Sequence, residues 1–422
     1  MKRKFILLAT LIIFICNFGS TWAEPTISSP SAILIDAKTG RILYEKDIDT
    51  KKFPASTTKI MTAILCLEHG NLSDIVTISD KPSLVERGSS QIYLIPGEKL
   101  TLEQLLYALM LESANDAAVA IAEHISGSAE EFAKLMNSRA KELGAQNTNF
   151  VNPNGLHDDN HVTSARDLAL MARYGMTLPK FREVVSTVKY TIPETNKQPM
   201  RDYITNTNKL IWKSNKEFSL DYATGIKTGY TAKAKNNLVA GALKDGMELI
   251  SVVMGENGTS DITNVYSVTK ELLEYGFNNF SNIGLLQKDQ IVTTINLPNS
   301  NEKLNLLAAE NFDLLISNDE VAKIKSNISI LGDIRKPINK NQILGSISYL
   351  IDNKEIKKID LVSSEELLLP RIFPKFSFKW LLWSFVAYLL WRTIVVTSRY
   401  LRKRRRKKKT PMLYINRKRG RI

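Results

Sequence analysis

The sequence feature that most constrains the fold is a short segment that opens an apolar run. Residues 53–59 read Phe-Pro-Ala-Ser-Thr-Thr-Lys, and residues 60–67 are almost entirely apolar. Pro54 suits the start of a helix, where its fixed backbone angle and missing N–H are tolerated. The pattern predicts a buried helix that begins near Ser56, with Ser56 and Lys59 on one face. A hydroxyl beside an amine is a candidate nucleophile beside a candidate base.

The Ser-x-x-Lys spacing alone is weak evidence, because it occurs at four other places in the chain. For any one copy the ordinary interpretation is a solvated helix face. Ser56 differs because it falls in the first turn of the predicted helix, where unsatisfied backbone N–H groups converge. Such groups are suited to stabilise an oxyanion.

The net charge of +14 belongs to the ends of the chain. Residues 399–422 hold thirteen Lys or Arg and no acidic residue, and Lys2, Arg3 and Lys4 add three more positive charges. Residues 5–398 therefore carry a net charge of about −2. A nearly neutral body gives no reason to expect a nucleic-acid partner.

Residues 1–23 have the organisation of a secretory signal peptide. A basic start precedes an apolar region over residues 5–18, and small residues stand at Thr21 and Ala23. We expect cleavage after Ala23; an uncleaved N-terminal anchor is the alternative, although spanning needs ~20 apolar residues. Cleavage would leave Cys66 as the only cysteine, so no intramolecular disulfide is expected.

Residues 24–278 carry the signals of an α+β domain. Pairs of apolar runs flank residues 37–40 and residues 244–246, which predicts a β-hairpin near each end of this region. Helices are expected between the hairpins, including one opened by the capping box of residues 101–104. A last helix, over residues 264–276, is expected to pack on the sheet.

Residues 279–370 differ in character, because short β-rich runs alternate with polar turns. This pattern predicts a small all-β domain without a catalytic constellation. The predicted strands lie at residues 290–295, 304–307, 345–350 and 356–362.

An apolar segment over residues 374–398 precedes the basic tail of residues 399–422. It contains Arg392, whose head group can reach a membrane surface. The Trp and Tyr side chains suit the membrane–water interface. The positive charge of the tail favours its location in the cytoplasm. We expect a single span with the folded domains outside; an amphipathic helix lying in the interface is the alternative. A membrane segment directly before the tail also disfavours nucleic-acid binding.

Three motifs occur in order along the chain: Ser56-x-x-Lys59, Ser113-Ala114-Asn115 and Lys227-Thr228-Gly229. This combination is typical of penicillin-binding proteins and serine β-lactamases. A second Lys-Thr-Gly, at residues 38–40, precedes Ser56 and lies in a predicted turn, so we interpret it as structural. Ordered motifs in an apolar context are far more specific than any one of them.

The chain resembles the D-alanyl-D-alanine carboxypeptidase family of low-molecular-mass penicillin-binding proteins. The resembling segments are residues 54–63, 150–156, 164–169 and 225–231. The resemblance implies that residues 24–278 form a penicillin-recognising catalytic domain with a β-lactamase-like fold. Residues 279–370 would then be the β-sandwich of the family, followed by the membrane anchor.

The resemblance also implies a function. The protein would be an exported, membrane-anchored serine peptide hydrolase that removes the terminal D-Ala from peptidoglycan stem pentapeptides. β-Lactams would inhibit it, and neither a cofactor nor a metal is expected. A serine β-lactamase and a catalytically silent cell-wall-binding protein are the alternatives; no clear deacylating Glu motif lies between Ser113 and Lys227.

The resemblance implies catalytic roles for three of these residues. Ser56 would attack the carbonyl of the penultimate D-Ala, Lys59 would take its proton, and Ser113 would relay that proton to the leaving amine. An ordinary lysine is protonated at neutral pH, but burial near a second cation, Lys227, would favour a neutral Lys59.

The remaining site residues would bind the substrate. Lys227 and Thr228 would hold the terminal carboxylate, Gly229 would contribute to the same binding segment, and Asn115 would orient Lys59 or the substrate amide. By family analogy, the backbone N–H groups of Ser56 and Tyr230 would form the oxyanion hole.

Simpler interpretations remain for some residues. Ser113 and Asn115 suit the cap of a helix that starts at Asp116. His157 and His161 suit either a metal or, as we expect, a solvated loop. The chain also departs from the family at Lys235, near a usual glycine, and at residues 256–257, which lack an arginine that some members carry.

Overall fold

A computed structural model gives the fold of the chain. The described residues are 24–86, 88–257, 263–297, 302–332, 334–369 and 378–407. The predicted signal peptide, most of the basic tail (residues 408–422) and residues 374–377 of the predicted membrane segment lie outside the described residues.

We number the helices and strands of the described residues along the chain. The helices are α1 (Lys59–His69), α2 (Leu102–Met110), α3 (Asn115–Ser126), α4 (Ala129–Glu142), α5 (Ala165–Gly175), α6 (Pro179–Ser186), α7 (Thr263–Asn279) and α8 (Phe378–Lys407). The strands of the first domain are β1 (Ser31–Asp36), β2 (Ile42–Lys46), β3 (Ile75–Thr77), β4 (Lys99–Thr101), β5 (Lys189–Ile192), β6 (Arg201–Thr205), β7 (Ala223–Thr231), β8 (Lys235–Lys244) and β9 (Met247–Glu256). Those of the second are β10 (Phe280–Leu286), β11 (Ile291–Asn296), β12 (Lys303–Ala308), β13 (Phe312–Ser317), β14 (Lys325–Ile330), β15 (Ile343–Ile351) and β16 (Lys354–Ser363).

A five-stranded antiparallel sheet forms the centre of the first domain. Its order is β2-β1-β9-β8-β7, so strands from the two ends of the domain lie side by side. Side chains of β1 alternate between two apolar cores: Ile33 and Ile35 pack with α1 to α6, whereas Ala32 and Leu34 pack with α7. Helices therefore cover both faces of the sheet, and the predicted α+β class is confirmed.

Both predicted hairpins are confirmed. Residues 37–40 join β1 to β2, and Asp36 accepts a hydrogen bond from the Thr39 N–H at 2.8 Å, so this Lys-Thr-Gly copy is a turn. Between β8 and β9, Asp245 and Gly246 have φ angles of 50° and 80°, the positive pair that a tight hairpin turn requires.

The second domain is built from β10 to β16. One antiparallel sheet has the order β11-β12-β16-β15-β14, and β10 pairs with β13. The four predicted strands correspond to β11, β12, β15 and β16. The predicted strands do not include β10, β13 or β14; of these, β14 is an edge strand that is exposed along most of its length, so its sequence carries little apolar signal.

The C-terminal helix α8 is the one candidate membrane span among the described residues. The candidate span lies within Phe378–Arg405, where an 18-residue window has a mean hydropathy of 1.5, and almost all side chains of this stretch are exposed. The helix does not end at the predicted boundary between residues 398 and 399. It continues through the first basic residues, since Lys and Arg are good helix formers.

A buried ion pair joins the hairpin of β5 and β6 to the segment before β4. Arg201 and Glu98 approach to 2.9 Å, and both side chains are almost fully buried. Arg201 also donates from Nε to the Ile92 carbonyl at 3.0 Å, and Glu98 accepts from the Thr195 hydroxyl at 2.9 Å. A buried pair of this kind fixes how its two segments lie against each other.

We predict that Glu98→Ala lowers the free energy of unfolding of the first domain by about 3–5 kcal/mol, because Arg201 would keep a buried charge without its partner. Urea unfolding of the full chain in detergent, followed by circular dichroism, measures the change. Asp313→Ala, which removes an exposed pair with Lys38, is the control and should cost less than about 1 kcal/mol. Equal, small losses in both variants would contradict the prediction.

Candidate active site

Ser56 lies in a 3₁₀ turn, Ala55–Thr58, that leads directly into α1. The helix therefore starts at the predicted position. Its first turn is a 3₁₀ turn, which is tighter than a turn of α-helix. Every residue of α1 from Lys59 to Cys66 is buried, as the apolar run predicts. The three-residue spacing brings Lys59 Nζ to 3.0 Å from Ser56 Oγ.

Lys59 is fully buried, and three oxygens surround its amine. Besides Ser56 Oγ, these are Asn115 Oδ1 and the Asn154 carbonyl oxygen, each 2.6 Å from Nζ. Burial lowers the pKa of Lys59 well below that of an ordinary lysine, and the positive charge of Lys227 lowers it further. A neutral amine has two N–H groups and one lone pair. The two carbonyl oxygens accept the N–H groups, which leaves the lone pair for the Ser56 hydroxyl proton.

The segment between α2 and α3 brings Ser113 to the cleft, and Asn115, the first residue of α3, contacts Lys59. Ser113 has a φ of 61°, and its buried hydroxyl has no hydrogen-bond partner in the described part of the chain. The N-cap of α3 is Ala114, without a side-chain cap, so the interpretation of Ser113 and Asn115 as capping residues is wrong. Their side chains are instead directed to the site.

Lys227 and Thr228 lie on β7, an edge strand of the central sheet. Lys227 is fully buried and donates to the Thr228 carbonyl at 3.3 Å. Burial lowers the pKa of Lys227 to about 7, and the nearby carboxylate of Glu112 opposes this effect. The Thr228 hydroxyl contacts the Thr207 hydroxyl at 2.7 Å.

Gly229 allows β7 to lie against the Ser56 turn. A Cβ atom at this position would be 3.0 Å from the Pro54 carbonyl oxygen and the Thr57 nitrogen, and 3.1 Å from the Ser56 nitrogen. Any side chain would therefore push β7 away from the turn. Tyr230 follows with a half-exposed side chain.

A cleft of about 360 Å³ brings the predicted residues together. Ser56, Ser113, Asn115, Thr228, Gly229 and Tyr230 line it. Lys59 and Lys227 lie beneath its surface. A larger cavity of about 560 Å³ borders the second domain, away from Ser56.

His161 is buried, so its interpretation as a solvated loop residue is wrong. Its Nδ1 accepts from the Val151 N–H at 2.9 Å, and its Nε2 contacts the Thr58 hydroxyl at 2.8 Å. Burial lowers the pKa of His161 to about 4, so the ring is neutral at neutral pH. It joins the loop that carries Asn154 to the turn before Lys59.

The structure shows what surrounds Lys235 and Glu256, which lie at the two positions where the chain departs from the family. Lys235 has a φ of 59°, a region that favours glycine, which explains why a glycine is usual nearby. Glu256 is buried and accepts hydrogen bonds from Ser28, Ser29 and Asn264, so it anchors the start of the first domain.

Three groups at or beside this site were not predicted from the sequence. They are the Asn154 carbonyl, the Thr207 hydroxyl and the Glu112 carboxylate. A backbone carbonyl carries no side-chain signal, and Thr207 lies outside the three motifs. Glu112 directly precedes Ser113, so its position beside a motif is a signal from which it could have been identified.

Two family models match adjoining parts of the chain. Residues 19–258 match D-alanyl-D-alanine carboxypeptidase, and residues 280–367 match the C-terminal domain of penicillin-binding protein 5.

Similar proteins cover most of the chain. D-alanyl-D-alanine carboxypeptidase DacF of Bacillus subtilis is 35% identical over 384 residues, 87% of this chain and 95% of the relative. DacC of Escherichia coli is 32% identical over 362 residues, 81% of this chain and 86% of the relative. The solved structure of penicillin-binding protein 5 from Haemophilus influenzae has a TM-score of 0.64 at 30% identity, and the match covers 82% of this chain and all of that one.

These matches favour a peptidoglycan carboxypeptidase over a β-lactamase or a silent wall-binding protein. They agree with the ordered motifs and with the cleft that unites them. The chain belongs to the D-alanyl-D-alanine carboxypeptidase family of serine peptidases.

Proposed function

We propose that this carboxypeptidase releases the terminal D-Ala of peptidoglycan stem pentapeptides through an acyl-enzyme on Ser56, with Lys59 as the base. The contact of 3.0 Å between Lys59 Nζ and Ser56 Oγ, in a buried setting that favours a neutral amine, carries the proposal. Penicillins present a carboxylate and a reactive amide carbonyl to the same groups, so they acylate Ser56 as inhibitors.

In the first step, Lys59 takes the Ser56 proton as Oγ attacks the carbonyl carbon of the penultimate D-Ala. The new C–O bond places negative charge on the carbonyl oxygen. Backbone N–H groups of Ser56 and Tyr230 hold this oxyanion, as the family resemblance implies. The close approach of β7 to the turn, which Gly229 permits, supports this assignment.

In the second step, the C–N bond breaks and the leaving amine needs a proton. Ser113 relays it from Lys59, since its buried hydroxyl lies at the cleft and has no competing partner in the described part of the chain. Water then attacks the ester, with Lys59 again as the base, and releases the shortened peptide.

The specificity for a free C-terminus comes from β7. Lys227 in its ammonium form and the Thr228 hydroxyl bind the terminal carboxylate. One edge of β7 pairs with no other strand of the described residues and accepts the substrate as an added strand, and the side-chain amide N–H groups of Asn115 donate to it.

We predict that Ser56→Ala abolishes both D-Ala release from a Lys-D-Ala-D-Ala peptide and covalent labelling by penicillin. Release is measured enzymatically, and labelling by gel fluorescence. Ser267→Ala, which changes a serine of another Ser-x-x-Lys copy, is the matched control and should behave as wild type. Retained labelling of Ser56→Ala would disprove the nucleophile assignment.

We also predict that the kcat/KM for peptide hydrolysis depends on pH through Lys227. Because burial places the pKa of Lys227 at about 7, the ammonium form is present below this pH and lost above it. The kcat/KM should therefore fall on the alkaline side, and Glu112→Gln should move this fall to lower pH by removing the opposing negative charge.

The pH profile of kcat/KM for peptide hydrolysis tests this. Glu112→Gln should reduce kcat/KM about threefold or more at pH 8 and little at pH 6. Glu103→Gln, whose carboxylate pairs with Lys180 away from the site, is the control. Coincident profiles for the two variants would exclude a role for Glu112.

We also propose that the chain is exported and anchored with its catalytic domain outside the cell membrane. The exposed apolar face of α8 supports a span, and its basic C-terminal end supports a cytoplasmic tail. In this proposal residues 1–23 are the signal peptide. Residues 24–278 and 279–370 are the exported domains, and residues 374–398 lie in the membrane.

Removal of residues 370–422 should move the penicillin-labelled protein from the membrane fraction to the soluble fraction. Removal of residues 408–422 alone should leave it in the membrane. A tag on Ile422 should resist protease added to intact spheroplasts if α8 spans. Digestion of the tag, together with release by alkaline carbonate, would favour a helix lying in the interface instead.

A further inference from the structure

Two tyrosine side chains are exposed on one rim of the first domain. Tyr93 is 68% exposed and Tyr203 is 46% exposed. Tyr93 belongs to the segment before β4, whereas Tyr203 belongs to the hairpin of β5 and β6. We call these two residues the tyrosine rim. Exposed apolar side chains that cluster commonly mark a binding surface.

Hydrogen bonds join the two segments of the tyrosine rim. Gln198 Nε2 donates to the Tyr93 carbonyl at 2.5 Å, and Arg201 Nε donates to the neighbouring Ile92 carbonyl at 3.0 Å. Tyr203 is two residues from Arg201 on β6, so the two side chains point to the same face. Tyr203 therefore lies on the side of the hairpin that meets Tyr93.

The backbone at Tyr93 is held in an uncommon conformation. Its φ is 58°, in the left-handed region that a bulky residue rarely adopts. The N–H groups on either side, those of Ile92 and Leu94, both donate to the buried carboxylate of Asp116, at 3.2 and 2.9 Å. These hydrogen bonds hold the backbone that carries the exposed ring, and strained backbone of this kind clusters at ligand-binding positions.

The tyrosine rim continues the wall of the catalytic cleft. Ser90, three residues before Tyr93, lines the cleft and accepts from the Asn115 N–H at 2.8 Å. On the other side, the Thr205 N–H donates to Glu112 at 3.3 Å, and Thr207 lines the cleft. A polymer whose stem peptide enters the cleft passes close to the rim.

We infer that the tyrosine rim binds the sugar rings of the peptidoglycan glycan strand, an inference that rests on the proposed function. Tyrosine offers a flat apolar face with a polar edge, which matches a hexosamine ring that has apolar C–H faces and polar rims. Tyr203 lies near both Glu112 and Arg201, which is itself paired with Glu98, so the rim carries no single sign of charge and suits uncharged N-acetylated sugars. The rim gives the enzyme a preference for polymeric peptidoglycan over free peptide.

The test compares two substrates, a soluble Lys-D-Ala-D-Ala peptide and intact pentapeptide-rich sacculi. The variant is Tyr93→Asn with Tyr203→Ser, in the full chain in detergent; Asn is chosen because it tolerates a positive φ. D-Ala release from sacculi should fall about tenfold, and release from the soluble peptide should stay within about twofold. Leu331→Ser, which removes an exposed apolar side chain of the second domain, is the control and should change neither rate.

A competition experiment identifies the ligand. Glycan chains freed of peptides should inhibit wild-type release from sacculi and should not inhibit the double variant. Equal losses on both substrates, or no loss on sacculi, would overturn the inference. Inhibition by a stem peptide lacking D-Ala-D-Ala, without inhibition by glycan, would assign the rim to peptide and overturn it as well. Failure of wild type to act on the soluble peptide would instead refute the proposed function.

Discussion

The burial of Lys59 is the constraint on which the rest of the structure depends. A charged ammonium in this position would need a carboxylate partner, and its amine instead meets a hydroxyl and two carbonyl oxygens. These oxygens come from the turn before α1, from the start of α3 and from the loop before His161. Three distant segments therefore converge on one nitrogen, and the apolar core around α1 keeps water away from it.

The two buried lysines of the site, Lys59 and Lys227, are suited to different charge states. Burial lowers the pKa of both Lys59 and Lys227, and the positive charge of Lys227 lowers the pKa of Lys59 further. Glu112 opposes the loss of charge at Lys227, while the two carbonyl oxygens around Lys59 are satisfied by a neutral amine. Two residues of one type are in this way suited to opposite tasks, a neutral base and a cationic anchor for a carboxylate.

Local signals in the sequence were sufficient for much of this arrangement. The Ser56 spacing predicts its contact with Lys59 because three residues make one turn, and Asp245-Gly246 predicts a hairpin because few residue pairs adopt its backbone angles. Contacts made by backbone groups were not predictable, since the Asn154 carbonyl looks like any other. The error at His161 has a related cause: its loop is polar in sequence, but it folds back onto Thr58 and buries the ring.

The open edge of β7 links stability to function. An unpaired edge strand is normally a liability, because any extended chain can pair with it. Helices cover both faces of the sheet. At β7 the Ser56 turn lies against the strand at Gly229, which confines the free edge to the floor of a cleft. An extended peptide that enters the cleft and pairs with β7, as proposed for the substrate, would bring its carbonyl beside Ser56. The shape that limits unwanted pairing is thus the one that the proposed chemistry needs.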